Sequence, residues 1–246
     1  MKVVINPKYE SERPFIEQLP VIFKKEGEFI YNQRNQVKRF LINGNERIIK
    51  RYKTPGLIQR VIYSTIRKTK ARRAFEFANK MSSLGIDTPE SIAYIEQKDG
   101  LLFSIGYFIA KACYDKDLRN ALRDQDIFDK ELANQLTTFL VLMHKKGVMH
   151  GDLNLSNILY RKENDHYHFT VIDTNRSIFK EHLTQRECLN NLKRLTHRSD
   201  LMDYIIRRYA QLRGWNEEET ISIEHKLVHR FENKGKWKTY FKKLCP

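Results

Sequence analysis

The chain is expected to adopt an α+β fold, rich in strands at its beginning and helical toward its end. Three observations carry this expectation. Apolar residues alternate through EFIYNQRNQVKRFLINGNERIIKRY, Glu28 to Tyr52, and Asn43-Gly44 stands where a tight hairpin turn belongs. Beyond Asp126 apolar residues recur at helical spacing, and from about His182 no proline interrupts until Pro246. Between these regions lies VMHGDLNLSNILY, Val148 to Tyr160, a polar loop inserted between an apolar helix and a hairpin. The boundary between the two parts is placed at about residue 108, giving an N-terminal lobe of residues 1–108 and a C-terminal lobe of residues 109–246 with a cleft between them.

The elements follow in order. The opening, with Pro7, Pro14 and Pro20, reads as irregular. Strands are expected near Glu28–Tyr31, Val37–Ile42 and Arg47–Tyr52. After Pro55-Gly56 the pattern turns helical: Leu57, Ile58, Val61, Ile62 and Ile66 form one apolar stripe, expected to pack in the core. Phe75, Phe77, Ala78 and Met81 form a second, ending near Gly85. Ile92–Glu96 and Leu101–Ala110 pair around Lys98-Asp99-Gly100. A helix carrying Leu132, Leu136, Phe139, Leu140 and Met143 is expected to be capped by Asp126 and stopped by Gly147. Strands at Ile158–Tyr160 and His168–Ile172 flank a turn at Glu163–Asp165.

With 246 residues, 41% hydrophobic and 11% aromatic, the chain has material for a substantial core and does not read as disordered. Its 45 Lys+Arg against 30 Asp+Glu give a net charge of +15, which favours an anionic partner. Nine basic residues and no acidic one lie between Lys50 and Arg73, a run that reads either as a solvated helix face or as a docking patch. The start, MKVVINPKYE, lacks a signal-peptide core, and no run is long enough to span a membrane, so a cytosolic setting is expected. Cys113, Cys188 and Cys245 are odd in number and widely spaced, as suits reduced thiols. His225 and His229 stand four apart, but without further ligands they read as surface histidines.

The loop carries the chemistry. Asp152 and Asn157 form D-x-x-x-x-N, and Asp173 follows 21 residues after Asp152, the length of one short hairpin. Phosphoryl transfer from ATP needs such a set. A carboxylate, Asp152, takes the proton of the acceptor hydroxyl, while the amide of Asn157 and the carboxylate of Asp173 are hard oxygen ligands for Mg²⁺. Such a site also needs a cation on the phosphates from an N-terminal strand and a helix glutamate to steady it; Lys50 and Glu76 are the candidates. His150 reads as structural, holding the loop.

HGDLNLSNIL followed by VID resembles the protein-kinase-like superfamily in its minimal form. IIKRYKTPG, KARRAFE and LGIDTPE are most similar to the lipopolysaccharide core kinase (Kdo/heptose kinase) family, over about Glu28 to Arg194. The resemblance implies ATP and Mg as cofactors and a lipid-linked anionic sugar acceptor of the lipopolysaccharide inner core. It also implies peripheral contact with an anionic membrane at the inner face of the inner membrane, and no nucleic-acid partner. Several features depart from regulated protein kinases. Gly151 replaces the arginine before the catalytic aspartate, Asn154 the usual lysine after it, Asp173-Thr174-Asn175 stands for D-F-G, and no A-P-E follows. NQRNQVK contains no glycine, so Arg34 or nearby backbone amides are expected to cover the phosphates. A protein kinase of the RIO or self-phosphorylating kind and a nucleotide-binding pseudokinase remain the rival readings.

Overall fold

The computed structural model describes the backbone of residues 1–244 and side chains through residue 233, so Cys245 lies outside the described residues. The chain divides into two compact units, residues 1–114 with 173–176, and residues 115–172 with 177–246. The first unit therefore extends past the expected boundary near residue 108 and recruits four residues from far downstream.

In the first unit the strands are β1 (Lys2–Ile5), β2 (Glu28–Asn32), β3 (Gln36–Ile42), β4 (Asn45–Arg51), β5 (Ser91–Asp99) and β6 (Leu102–Lys111). The helices are α1 (Arg13–Lys25), α2 (Leu57–Thr65) and α3 (Lys70–Ser83). The sheet runs β1-β5-β6-β4-β3-β2, antiparallel throughout. Asn43 and Gly44 both adopt positive φ, 50° and 73°, as the β3–β4 turn requires.

The opening is not irregular. β1 pairs with β5, and α1 tolerates two prolines. Pro14 sits in the first turn, where no N–H partner is needed. Pro20 removes one interior bond, but Ile16, Leu19 and Phe23 on the same helix join Phe40, Ile42, Ile49 and Tyr107 of the sheet in the main core. Glu12 adds a buried ion pair to Arg47 on β4, 2.6 Å. The other sheet face, with Tyr52 and Tyr94, packs Ala71 and Phe75 of α3.

The second unit holds β7 (Lys116–Asp117), α4 (Lys130–Lys145), β8 (Val148–Met149), β9 (Ile158–Glu163), β10 (His166–Val171), β11 (Ile178–Phe179), α5 (Gln185–Leu192), α6 (Ser199–Arg213) and α7 (Glu217–Leu244). The cap of α4 is Asp129, not Asp126: its Oδ1 accepts from the backbone N–H of Glu131 at 2.8 Å and of Leu132 at 3.0 Å. Three residues move the start because only Asp129 stands where its carboxylate reaches those amides. Gly147 ends the turn after α4 at φ 71°, where a Cβ would lie 1.7 Å from the Lys180 carbonyl oxygen. Cys113 and Cys188 form no disulfide; His225 pairs with Asp203 at 2.7 Å. Among the described residues no helix is long and apolar enough to cross a membrane.

Candidate active site

Within the first unit, β4 presents alternate residues to opposite sheet faces. Ile49 enters the α1 side of the core, and Lys50 projects with Tyr52 toward the α3 side. The Lys50 Nζ lies 2.9 Å from Asp173 Oδ1 and 5.4 Å from the Tyr52 ring centre. Tyr52 is buried, and its phenol is held well above its ordinary pKa, first by desolvation and then by the Asp173 carboxylate.

Asp173 follows the end of β10 and adopts φ 59°, one of three non-glycine residues in the left-handed region among the described residues. Its carboxylate also accepts a short hydrogen bond from the Asn175 amide. The short 3-10 turn Thr174–Arg176 then packs on α3, with the Thr174 hydroxyl donating to the Ala74 carbonyl at 3.4 Å.

On α3 the structure departs from one expectation, that Glu76 steadies Lys50. Glu76 lies two residues beyond Ala74, roughly 200° around the helix. Its two carboxylate oxygens are taken by Lys68 and Arg72, each at 2.8 Å, while Lys50 turns to Asp173. Glu76 does not steady Lys50. The two bound cations hold the Glu76 carboxyl below its ordinary pKa despite its partial burial, which opposes them.

A second group of cations gathers by Lys50. The Lys70 ammonium is held below its ordinary pKa by burial first, then by Arg34, Arg176, Arg73 and Lys50. The Arg73 guanidinium is half buried with its Nε unpaired, and desolvation and Arg67 lower its pKa. Arg34 is exposed in the turn between β2 and β3; Asn35 beside it accepts from the Lys53 N–H at 3.1 Å. The basic run of Lys50 to Arg73 is thus not one face: Lys50, Lys70 and Arg73 share charge with Arg34 and Arg176, whereas Lys68 and Arg72 serve Glu76.

In the second unit His150 is fully buried and organises the loop. Its Nε2 donates to the Ile172 carbonyl at 2.9 Å, its Nδ1 accepts from the Asp152 N–H at 3.4 Å, and its own carbonyl accepts from Asn191 at 2.7 Å. The loop is thereby tied to the residue just before Asp173. The Asn157 Nδ2 donates to the Asp152 carbonyl at 2.8 Å, and Asn154 Nδ2 to the same oxygen at 3.0 Å. This leaves the Asn157 Oδ1 without a protein partner among the described residues. Arg194, which no sequence signal singled out, places its Nη2 2.8 Å from Asp152 Oδ1. In the first unit, Lys70 and Arg176 beside Lys50 were equally unassigned, although Arg176 stands only three residues beyond Asp173.

A carboxylate oxygen of Asp173 and the amide oxygen of Asn157 are hard donors of the kind that hold Mg²⁺ on phosphates. Among the described residues no cluster of three His, Cys, Asp or Glu suits a metal bound by protein alone. By donor chemistry alone, each of these two oxygens suits Mg²⁺.

Comparison with known proteins adds to this geometry. The profile of the "Lipopolysaccharide kinase (Kdo/WaaP) family" matches residues 24–234. A 3-deoxy-D-manno-octulosonic acid kinase of Vibrio cholerae serotype O1 is 29% identical over 116 residues, 45% of this chain and 49% of that protein. A probable bifunctional tRNA threonylcarbamoyladenosine biosynthesis protein of Methanothermobacter thermautotrophicus is 28% identical over 116 residues, 47% of this chain and 18% of that one. The chain thus spans about half the length of the kinase relative. The solved structure "WaaP in complex with acyl carrier protein" shares the fold, with a TM-score of 0.62 over 96% of this chain and 98% of that chain at 16% identity.

Proposed function

The chain belongs to the lipopolysaccharide kinase (Kdo/WaaP) family, and from that premise we propose that it transfers the γ-phosphate of ATP to a hydroxyl of a lipopolysaccharide inner-core sugar, Kdo or heptose. The observation that carries this reading is the Lys50–Asp173 pair, 2.9 Å apart with Asp173 held at φ 59°. Side chains held in such sparsely populated backbone regions cluster at active sites.

Each residue then has a task. Asp152 accepts the acceptor proton as the hydroxyl oxygen attacks the γ-phosphorus; the bond to ADP breaks and its electron pair stays on the β-phosphate oxygen. Lys50 neutralises phosphate charge, with Lys70, Arg34 and Arg176 adding to the field. Asn157 and Asp173 would hold Mg²⁺, which supplies further charge neutralisation on the phosphate oxygens when bound. His150 keeps the loop in register.

The acceptor lies in a membrane, and α2 supports a peripheral role at its cytosolic face. Surface helices normally turn their apolar stripe inward. α2 does the reverse. Arg60 Nε donates to the Phe103 carbonyl at 2.8 Å and Ser64 Oγ accepts from the Phe103 N–H at 2.7 Å. Leu57, Ile58, Val61, Ile62 and Ile66 are left exposed, Ile58 by 80% and Ile66 by 86%. The sequence assigned this stripe to the core; the polar side docks instead. With Arg67 at its end, the stripe suits insertion into an anionic bilayer surface.

The experiment is transfer of labelled phosphate from ATP to lipid-linked inner-core acceptors, with free sugars and proteins beside them. Asp152→Asn is expected to lower turnover by about 100- to 10,000-fold, the range that general-base catalysis contributes, while ATP binding persists. Near-parental turnover in that variant would remove Asp152 from the role of base.

A further inference from the structure

We infer that the second unit carries a built subsite for the anionic group of the acceptor sugar, set directly beside Asp152. It rests on the phosphotransfer reading above and narrows it to an acidic sugar. The site is a cavity of about 240 Å³ whose polar walls include Arg119, Arg123, Asn154, Ser156 and Arg194, with no acidic residue in the lining. Ligand sites for drug-sized molecules run to about 300–1,000 Å³, so this volume suits one monosaccharide or less.

Its cations are aimed rather than merely present. Arg119 and Arg123 both engage Asp124 through Nε, at 3.2 and 2.7 Å, which orients each guanidinium and leaves its terminal nitrogens for another acceptor. Arg194 is fixed from two sides: its Nη2 meets Asp152 Oδ1 at 2.8 Å, and its guanidinium lies 5.3 Å from the Phe231 ring centre. Asn154 and Ser156 belong to the catalytic loop itself, two and four residues past Asp152, so the loop that carries the base also forms the wall.

Planar guanidinium forks match a carboxylate in two-point contact, which a neutral heptose hydroxyl does not reward. A sugar-acid carboxylate seated on Arg119 and Arg123 is separated from the base by one side chain, Arg194, and a hydroxyl of the same sugar is thereby delivered to Asp152. Arg194 acts as a positioning residue between the two.

The test uses the whole chain and two synthetic probes, the methyl glycoside of 3-deoxy-D-manno-octulosonic acid and its carboxamide. Binding is read by calorimetry and transfer by labelled ATP. Binding of the carboxylate probe is expected to exceed that of the carboxamide at least tenfold. Arg119→Gln with Arg123→Gln should erase this difference and raise the KM for the carboxylate acceptor at least tenfold, with the KM for ATP unchanged. Arg123→Lys should recover only part of it. Equal binding of both probes to the parent chain, or an undiminished preference in the double variant, overturns the subsite. So does displacement of the carboxylate probe by inorganic phosphate or ATP in competition, which would make the cavity a phosphate site. If the parent binds the sugar acid with the stated preference yet transfers no phosphate to any core sugar, the function proposed above falls and the subsite stands.

Discussion

At the scale of single residues, Asp173 holds a left-handed backbone that is tolerable for Asp because its short polar side chain can bond locally, here with Asn175. The strain is offset by Lys50 and by the packing of residues 173–176 on α3. Asp173→Asn should preserve shape but weaken the hold on both Lys50 and metal, so Mg·ATP affinity and turnover are expected to fall together, by at least tenfold each; a loss confined to turnover would separate Asp173 from nucleotide binding. Lys70 makes a sharper case. It is part-buried among four cations and has no acidic partner among the described residues, an arrangement that an incoming polyanion relieves. A charge-assisted bond contributes about 1.5–3 kcal/mol, so Lys70→Gln should raise the KM for ATP about ten- to hundredfold and leave folding intact. An unchanged KM would assign Lys70 to the surface field alone. None of this was legible in the sequence, where Lys70 was one lysine in a basic run; burial and neighbours separate it from Lys68, two residues away.

At the scale of elements, periodicity located α2 and α3 but not what faces what. The stripe of α2 has the same spacing whether it points in or out; the outcome was decided by Arg60 and Ser64 engaging the backbone of Phe103, with Tyr63 packed edge-on against its ring at 5.6 Å. In α3 Glu76 was taken as the partner of Lys50 because it is the only acidic residue between Glu46 and Asp87, but its carboxylate pairs with Lys68 and Arg72. The strands of the first sheet and the β9–β10 hairpin were legible because alternation and turn residues are local signals, and so was the placing of Asp152 and Asn157 on a loop before that hairpin and of Asp173 just after it. The docking role proposed for α2 has a direct measurement. Replacing Leu57, Ile58 and Val61 with Ser removes exposed apolar area and no core contact, so thermal stability should stay within about 0.5 kcal/mol of the parent. Cosedimentation with vesicles of anionic phospholipid should drop at least tenfold. Binding that survives the substitution and disappears in high salt would place docking on charge alone, without α2.

At the scale of the whole molecule, what sequence spacing hid is long-range. Residues 173–176, far downstream in sequence, complete the first unit, and the second unit buries His144 and Glu224, whose protonation has opposite effects on stability. His144 is neutral in the fold, its pKa pushed down to about 4 by burial while Tyr209 and Asn191 occupy its two ring nitrogens. Glu224 is buried with Oε1 unpaired, and its pKa is pushed up to about 7 by desolvation, with Asp203 adding and His225 opposing. The signs differ. For His144 the unfolded chain binds the extra proton, so its contribution is complete above about pH 6.5 and is lost as pH falls toward 4. For Glu224 the fold keeps a proton that the unfolded chain releases, so stability declines as pH rises from about 4.5 to 7 and stays reduced beyond. Glu224→Gln should therefore match the parent near pH 4.5 and exceed it increasingly up to pH 7, by on the order of 2 kcal/mol, then hold that margin at pH 8. Urea unfolding of both proteins at pH 5 and pH 8 reads the difference directly. A margin that is the same at both pH values would mean that Glu224 is ionised in the fold, and that the burial seen here is relieved by a partner of its own.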